Sequence, residues 1–343
     1  MDLKSAIKIA IRFTEKGKGL STIRQFVRFF PKTPTLPARL CAQSARCGVL
    51  VNVYEDIPNT LVSAAFLQKM VKDSTEFSIT ATLSAYGGVE FKSGSSAWHW
   101  QAEMVPQLEL FPEVPILPEE FSGIDGRAIE RVLHAASKDP DRVNLQSLHF
   151  VDGCVEATDK ARFARASLSW QEQGLLPSEM FQRLSKGSLT AAFTLRLAYI
   201  RSSAEDEIRF ASYVALPFPD CKELIPAEHE GGRVIVSVKS LLHAAKQALS
   251  VSDTGSVTLR FGELKLVVSS WHKDKEPQLF EANVCLFPSN RSPDSQVLVS
   301  GKNLVAALKS LSTPTVLLCY NRPSDPLRLE SAGYVEALWP MLA

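Results

Sequence analysis

The sequence lacks a long apolar run, a cysteine cluster and an excess of charge of either sign. No apolar run approaches the ~18 residues that a membrane-spanning helix needs, and MDLKSAIKIAIRF at the start has no apolar block typical of a signal peptide. A formal net charge of +1, with 45% hydrophobic and 22% charged residues, is typical of a globular protein. These features predict a cytosolic protein without a membrane partner, and 343 residues are enough for two or three domains.

Motifs that carry chemistry are also missing. The six cysteines are scattered without a CxxC pair, and the spacing of Cys41 and Cys47 fits no common zinc site. The histidines show no metal-ligand spacing, and the chain contains no GxSxG, P-loop or dinucleotide-binding fingerprint. We therefore expect reduced, mostly buried thiols, no metal, no cofactor and no catalytic residues, which describes a binding protein and not an enzyme.

One pattern of helices and strands occurs three times, with a period of roughly 110 residues. Proline-rich segments near 109–120 and 216–232 separate the copies. The predicted domains are 1–115, 116–228 and 229–343. Because the strands mostly follow one another as meanders, the pattern favours an α+β fold with two helices and two small antiparallel sheets in each domain.

Each copy has a predicted long helix and a predicted short helix. In the third copy these cover 240–250 and 304–311, and in the second they follow Asp125 and cover 179–186. In the first copy, the alternation of Ile7, Ile9, Ile11 and Phe13 predicts a strand over 6–13. Helices are predicted over 21–30 and 64–72.

Positive charge is concentrated on the predicted helices, although the whole chain is nearly neutral. A shared basic surface would bind the phosphates of double-stranded DNA without reading sequence, and no base-reading motif is present. The alternative is that Lys and Arg are simply good helix formers on solvated faces. The candidate DNA-binding residues are Lys18, Arg24, Arg28, Lys69, Lys72, Arg127, Arg131, Lys138, Arg183, Lys186, Lys239, Lys246, Lys302 and Lys309.

Several segments in register resemble one family. They are PTLP at 34–37, GVLVNVYED at 48–56, VEFKSGSSAWHW at 89–100, NLQSLHF followed by EATDKARFARA up to position 166, FPDCKELIP at 218–226 and the terminal YVEALWPMLA. Together they are similar to the bacterial sliding clamp, the β subunit of DNA polymerase III, over essentially the full length. The chain is identified as a divergent member of that family.

The resemblance implies a ring of two head-to-tail chains, with helices lining a hole for DNA and sheets on the outside. Such a clamp is a non-catalytic processivity factor that tethers a polymerase. The resemblance places the joint between the two chains at Trp98 and Trp100 on one side and at Ala248 and Leu249 on the other. Ordinary core packing is the alternative for the two tryptophans.

The resemblance also implies a pocket for the short apolar peptide carried by DNA polymerase, the clamp loader and other clamp-binding proteins. Its residues here would be Leu145, Thr158, Lys160, Arg162, Phe163, Pro219, Leu224, Leu338, Trp339, Pro340 and Met341. Lys160, Ala161, Phe163, Glu223 and Trp339 depart from the family's residues, which predicts a reshaped pocket. Alternatively, these side chains complete a hydrophobic joint between domains.

Two other functions remain open. The chain could be a clamp homologue dedicated to an accessory polymerase or a mobile element. It could also be a monomeric scaffold that binds peptides and never encircles DNA.

Overall fold

The computed structural model describes residues 1–15, 23–74, 79–84, 88–101, 110–184, 189–202, 206–221, 225, 232–262, 265–270, 282–287 and 295–341. Within these ranges the elements follow the predicted threefold order: a first helix, four strands, a second helix or 3-10 turn, and three strands. A further strand precedes the long helix in the second and third repeats.

The first repeat begins with a helix and ends with a hairpin. Its elements are α1 (Leu3–Ala10), 3-10 turns at Ile11–Phe13 and Ile23–Gln25, β1 (Phe26–Phe30), β2 (Ala38–Gln43), β3 (Cys47–Val53), β4 (Thr60–Ser63), α2 (Ala64–Asp73), β5 (Thr80–Leu83), β6 (Val89–Ser93) and β7 (Ser96–Trp100).

The second repeat has a 3-10 turn in place of the short helix. Its elements are β8 (Ser122–Ile124), α3 (Gly126–Leu133), β9 (Ser147–Val151), β10 (Cys154–Thr158), β11 (Arg162–Ser167), β12 (Gly174–Pro177), the 3-10 turn Ser178–Phe181, β13 (Leu189–Phe193), β14 (Leu197–Ser202) and β15 (Glu207–Ser212).

The third repeat contains the longest helix. Its elements are β16 (Gly232–Ser237), α4 (Val238–Val251), β17 (Ser256–Phe261), β18 (Lys265–Ser269), β19 (Ala282–Phe287), β20 (Ser295–Ser300), α5 (Gly301–Ser310), β21 (Thr315–Tyr320), β22 (Leu327–Ser331) and β23 (Tyr334–Leu338). None of the described helices is long and apolar enough to cross a membrane.

The chain forms two compact units. Unit 1 comprises Met1–Ile124 and Gln182–Tyr213. It holds an eight-stranded sheet in the order β4-β1-β2-β3-β15-β14-β13-β8 and a three-stranded sheet β5-β6-β7. Pairing of β3 with β15 makes one sheet out of strands from the first and second repeats.

Unit 2 comprises Asp125–Phe181 and Val214–Ala343. Its twelve-stranded sheet has the order β12-β9-β10-β11-β23-β22-β21-β16-β19-β18-β17-β20. Here β11 of the second repeat pairs with β23 of the third. Leu241 and Ala245 of α4 and Leu304 of α5 are fully buried in an apolar core against this sheet. The domain boundaries at 115 and 228 stay predictions.

The structure corrects the beginning of the first repeat. Residues 3–10 form α1, because Leu3, Ala6, Ile7 and Ala10 recur at helical spacing and are all buried. The side chain of Asp2 caps this helix by accepting a hydrogen bond from the amide of Ser5 at 2.8 Å. The strand predicted over 6–13 was therefore wrong.

The helix predicted over 21–30 was also wrong. Apart from the short 3-10 turn, its described part is the strand β1, in which residues 26–29 are all buried. A continuously buried run of this length fits a strand that is covered on both faces, and it lacks the polar side of an amphipathic helix. The predicted helix over 179–186 is limited to the 3-10 turn within its described residues.

The cysteine prediction is confirmed where the structure describes the side chains. Cys41, Cys47, Cys221 and Cys319 are buried thiols outside any disulfide, and Cys154 is a half-buried one. Burial raises the pKa of the Cys41 thiol to about 12 and that of Cys221 to about 11, so both stay protonated near neutral pH. Among the described residues, no three His, Cys, Asp or Glu side chains are arranged to hold a metal ion.

Candidate functional site

The connection from β10 to β11, residues 158–162, is a tight corner stabilised by its own side chains. Thr158 Oγ1 donates to the carbonyl of Arg162 at 2.7 Å and accepts from the amide of Lys160 at 3.2 Å. Asp159 Oδ1 accepts from the amides of Ala161 and Arg162 at 3.0 and 3.1 Å. Short Thr and Asp side chains form such local bonds readily, which explains why they stand here.

Lys160 adopts a left-handed backbone conformation in this corner, with φ of 77°. Glycine adopts this conformation without cost, whereas a residue with a Cβ is strained there. The long side chain of Lys160 is exposed at the corner. A position whose backbone favours glycine therefore carries an exposed cation.

Arg162 is directed inward and binds parts of its own chain. Its Nε donates to Asp159 Oδ2 at 3.0 Å, and its Nη2 donates to the carbonyl of His134 at the end of α3. The residue is only 8% exposed. These bonds give Arg162 a structural task in addition to its predicted peptide contact, which stays a prediction.

The end of the third repeat lies beside this corner. Arg162 is opposite Leu338 in the pairing of β11 with β23, and the amide of Trp339 donates to the carbonyl of Ala161 at 3.0 Å. Beyond it, the amide of Met341 donates to the carbonyl of Leu298 on β20 at 2.8 Å. Phe163 and Leu338 are buried, Trp339 and Pro340 are half-buried, and Met341 is exposed. The structure thus brings two predicted groups, 158–163 and 338–341, to one place.

The remaining predicted wall lies around the segment that follows β15. Leu145 is buried, and its neighbour Asn144 donates from Nδ2 to the carbonyl of Pro217 at 2.9 Å. The ring of Phe218 stacks on His149 with centroids 4.6 Å apart, and Pro219 is exposed. Leu224 lies outside the described residues.

The basic residues fall into two groups. The described members with exposed side chains are Lys69, Lys72, Arg127, Lys138, Arg183, Lys239, Lys246, Lys302 and Lys309. Lys18 and Lys186 lie outside the described residues. Each of the five described α-helices carries two Lys or Arg, and together they contain only two acidic residues, Asp73 and Glu130.

Three arginines lie differently from the prediction. Arg28 is on β1, is only 9% exposed and has its guanidinium over the ring of Phe30 at 4.8 Å. Arg24 is in a 3-10 turn and pairs with Glu15. Both deviate because the predicted helix is a strand. Arg131 is half-buried, 4.5 Å from the ring centroid of Tyr334, and donates to the carbonyl of Ala332.

Sequence reasoning missed the basic residues of the true first helix. Lys4 and Lys8 lie on α1, and Arg12 follows in the adjoining 3-10 turn. Lys8 and Arg12 are exposed, whereas Lys4 donates to the carbonyl of Ser74 at 3.1 Å. The helical spacing of buried residues from Leu3 to Ala10, which begins right after Asp2, was the signal that would have found them.

The predicted interface residues have unequal exposure. Trp98 and Trp100 are half-buried on one face of β7, as alternation predicted. The indole of Trp100 donates to the carbonyl of Leu61 at 2.9 Å and packs 5.1 Å from the ring of Phe66. Leu249 is half-buried, but Ala248 is fully buried in the core of unit 2, which leaves it no exposed surface for an interface.

Comparison with known proteins identifies the fold. No family model matches the sequence, and no curated protein matches it. The solved DNA polymerase III β subunit of Thermotoga maritima superimposes with a TM-score of 0.80 at 21% identity, covering 100% of this chain and 97% of that one. The β subunit of Borrelia burgdorferi, solved in complex with a natural product, gives 0.81 at 15% identity, over 99% and 97%.

A third similar structure is the β clamp of Helicobacter pylori bound to a DNA ligase peptide. It has a TM-score of 0.75 and 14% identity, and covers 99% of this chain and 98% of that one. Because these similarities extend along the whole of both chains, they confirm the α+β architecture predicted from the sequence. The chain has the fold of the DNA polymerase III β subunits, the bacterial sliding clamps.

Proposed function

We propose that this chain is a DNA sliding clamp, a non-catalytic protein that encircles duplex DNA as a dimer and tethers DNA polymerase, the clamp loader and other partners. One observation carries the proposal: within a clamp fold, every described α-helix bears two basic residues while the helices share only two acids. The same charge on five helices of a nearly neutral chain is a large local excess. It favours binding to a phosphate backbone over ordinary solvation.

The order of strands supports a head-to-tail ring. The third strand of the first repeat, β3, pairs with the last strand of the second, β15, and β11 pairs in the same way with β23. By the same rule, β19, the third strand after the first helix of the last repeat, would pair with β7, the last strand of the first repeat, in another copy. Among the described residues, β7 has one neighbour in its sheet, and β19 lies between β18 and β16 and pairs with β16 at two positions. Such a joint uses different surfaces of the two copies, and it forms a closed ring when the rotation from one copy to the next returns to the first.

The corner beside β23 is the proposed docking place for partner peptides. Trp339, Pro340 and Met341 give it partly exposed apolar side chains, and Lys160 gives it an exposed cation. Apolar walls with a few fixed polar groups are suited to anchoring a short peptide. The ligase peptide on the Helicobacter pylori clamp supports this type of ligand. Location in the cytoplasm, where the DNA is, belongs to the same proposal.

Retention on circular DNA tests encirclement directly. The chain, loaded onto nicked circular duplex, should stay bound during gel filtration at high salt and should be lost after one cut linearises the circle. A scaffold that binds DNA only by charge would show the same loss from both forms, and this result would reject the clamp.

Charge reversal tests the basic helices. Lys239→Glu with Lys246→Glu on α4 should weaken DNA binding and lower its salt slope by about 1 for each phosphate that the variant no longer neutralises. The matched control is Lys32→Glu with Arg196→Glu, which makes the same change in charge at exposed loop positions. If both double variants changed DNA binding equally, the helix lysines would be ordinary solvated side chains without a specific role in DNA contact.

Oligomeric state separates the clamp from a monomeric scaffold. In sedimentation the protein should have a mass near twice the 37.8 kDa of the chain. Trp98→Ala and Leu249→Ala should each shift it toward monomer, whereas the exposed loop variant Leu195→Ala should not. A dimer unaffected by the first two would place the joint elsewhere, and a monomer under all conditions would reject the ring.

A further inference from the structure

A buried carboxylate lies behind the corner in unit 2. Glu336, on β23, is 0% exposed and faces helix α3. Its Oε1 lies 3.0 Å from His134 Nε2, and its Oε2 accepts a hydrogen bond from the hydroxyl of Tyr334. A buried charge of this kind is tolerated only when it is paired and hydrogen-bonded, so its partners are held in place with it.

The groups around Glu336 come from three elements. Tyr334 is on the same strand, and His134 caps the end of α3. Two further groups contact Tyr334: Arg131 of α3 lies over its ring, and Ser310 of α5 donates to its hydroxyl at 3.2 Å. Burial, and then the neighbouring carboxylate, raises the pKa of Tyr334 well above its ordinary value. The phenol therefore keeps its proton and acts as donor to Glu336.

From His134 the contacts continue to the corner. His134 is the C-terminal cap of α3, where helix carbonyls lack intrahelical partners. Its carbonyl accepts from Arg162 Nη2, which places a cation at the negative end of the helix. Arg162 Nε in turn holds Asp159, and Asp159 holds the amides of Ala161 and Arg162.

The corner is thus the outer end of a continuous series of contacts that starts at Glu336. The carboxylate fixes the His134 side chain, the His134 backbone fixes Arg162, and Arg162 fixes the aspartate that shapes the turn. Hydrogen bonds and ion pairs are directional and are strengthened in the low-dielectric interior, so each group in the series constrains the position of the next.

We propose that Glu336 is a positioning residue for the peptide-binding corner and acts through His134 and Arg162. The inference rests on the proposed peptide-docking function, but its structural part concerns only the shape of residues 158–162. It has two measurable consequences, the affinity for a peptide and the protection of the corner amides from hydrogen exchange.

The test compares four forms of the full chain. Glu336→Leu removes the charge and both acceptors, Glu336→Gln keeps one acceptor, and His134→Ala removes the ring but keeps the carbonyl. Leu241→Ala in α4 creates a cavity in the core of the same unit and serves as a control for lost stability. Each form is measured by fluorescence anisotropy with a labelled DNA ligase peptide, by hydrogen exchange of the amides of residues 160–162, and by urea unfolding.

We expect Glu336→Leu and His134→Ala to weaken peptide binding about tenfold or more and to speed exchange of the three amides by a similar factor, since positioned hydrogen bonds are removed. Glu336→Gln should rescue part of both effects. Leu241→Ala should lower stability while affinity and corner exchange stay within about twofold.

The inference would be overturned if hydrogen exchange of the corner amides in Glu336→Leu matched that in the Leu241→Ala control. If Glu336→Leu does not fold, unchanged exchange of these amides in His134→Ala would overturn it instead. A wild-type chain that binds no peptide would instead reject the docking function. In that case, faster corner exchange in the Glu336 and His134 variants would still support positioning. The two failures are therefore distinguishable.

Discussion

The two joints between repeats have the same strand pairing but different buried charges. In unit 1, β15 is antiparallel to β3 from Glu207 to Ala211, and in unit 2, β23 is antiparallel to β11 from Tyr334 to Leu338. On the face next to the helices, β15 and β23 each carry two ionisable side chains that are two residues apart. These are Glu207 with Arg209, and Tyr334 with Glu336.

In unit 1 the two opposite charges lie on one strand. Arg209 Nε donates to Glu207 Oε1 at 2.6 Å, and Arg209 Nη1 donates to the carbonyl of Gln182 at 2.6 Å. Arg209 is 1% exposed and lies over the ring of Phe13. In unit 2 the carboxylate of Glu336 is matched by His134, which is 202 positions away in the sequence.

The same strand joint can therefore hold an ion pair within one strand or link separate elements. The Glu207 carboxylate of unit 1 has its cation, Arg209, two residues away on the same strand. The unit 2 carboxylate is complete only when α3 is in place, and α3 then reaches the corner. Substitutions at three kinds of position test this difference between the units.

The largest effect is expected for Arg209→Ala. It leaves the buried Glu207 carboxylate and the Gln182 carbonyl without their donor, which should destabilise unit 1 by about 3–5 kcal/mol. Native-state hydrogen exchange of β15, measured by mass spectrometry, reports this unit separately. Glu207→Ala with Arg209→Ala should cost less than the single variant. A double variant that is worse than the single one would contradict a self-contained pair.

An intermediate effect is expected for Tyr334→Phe. The hydrogen bond that it removes has a charged acceptor, so the cost should be about 1.5–3 kcal/mol in unit 2. Tyr199→Phe in unit 1 is the matched control. Its hydroxyl donates at 3.0 Å to the neutral carbonyl of Ile116, and its removal should cost only about 0.5–1.5 kcal/mol. Equal costs in urea unfolding would show that the acceptor on Tyr334 is not an ionised Glu336.

The smallest effect is expected at the left-handed residues beside the two joints. Lys160 near the unit 2 joint has φ of 77°, and Arg183, whose carbonyl accepts from Arg209, has φ of 55°. Lys160→Gly and Arg183→Gly should each stabilise the protein by about 0.5–1 kcal/mol by relieving strain. Ala161→Gly, next to Lys160 but outside the left-handed region, should destabilise it by a similar amount. A loss of stability in both left-handed variants would mean that their side chains contribute more than the strain costs.

Much of the fold could be predicted because the decisive signals are local. The helix face at Leu241 and Ala245 follows a spacing that a single segment reveals, and Asp125 marks the start of α3 as expected. The strand over 6–13 was predicted wrongly because apolar residues in 3–13 fit both the period of 2 of a strand and the period of 3.6 of a helix. Only the burial of Leu3, Ala6 and Ile7 decides for the helix. The strand β1 was missed because a run buried on both faces has no period.

The candidate site was predicted only in part. The corner at 158–163 and the terminal apolar residues were both named from resemblance, and the structure brings them together. The dependence of Arg162 on His134, and of His134 on Glu336, joins positions far apart in the chain. No local pattern encodes such contacts, because they exist only once the sheet and helix α3 have packed.

The tryptophans of β7 have a consequence for how a ring could open. Trp98 and Trp100 stand on the side of the last strand of the first repeat that faces α2, where the other two last strands bury ionisable groups. These two side chains are uncharged, so pulling β7 away from a second copy would expose aromatic surface to water and would leave neither of them as a stranded ion. In the proposed ring, the contribution of β7 to the joint should therefore come mainly from apolar contact and depend little on salt.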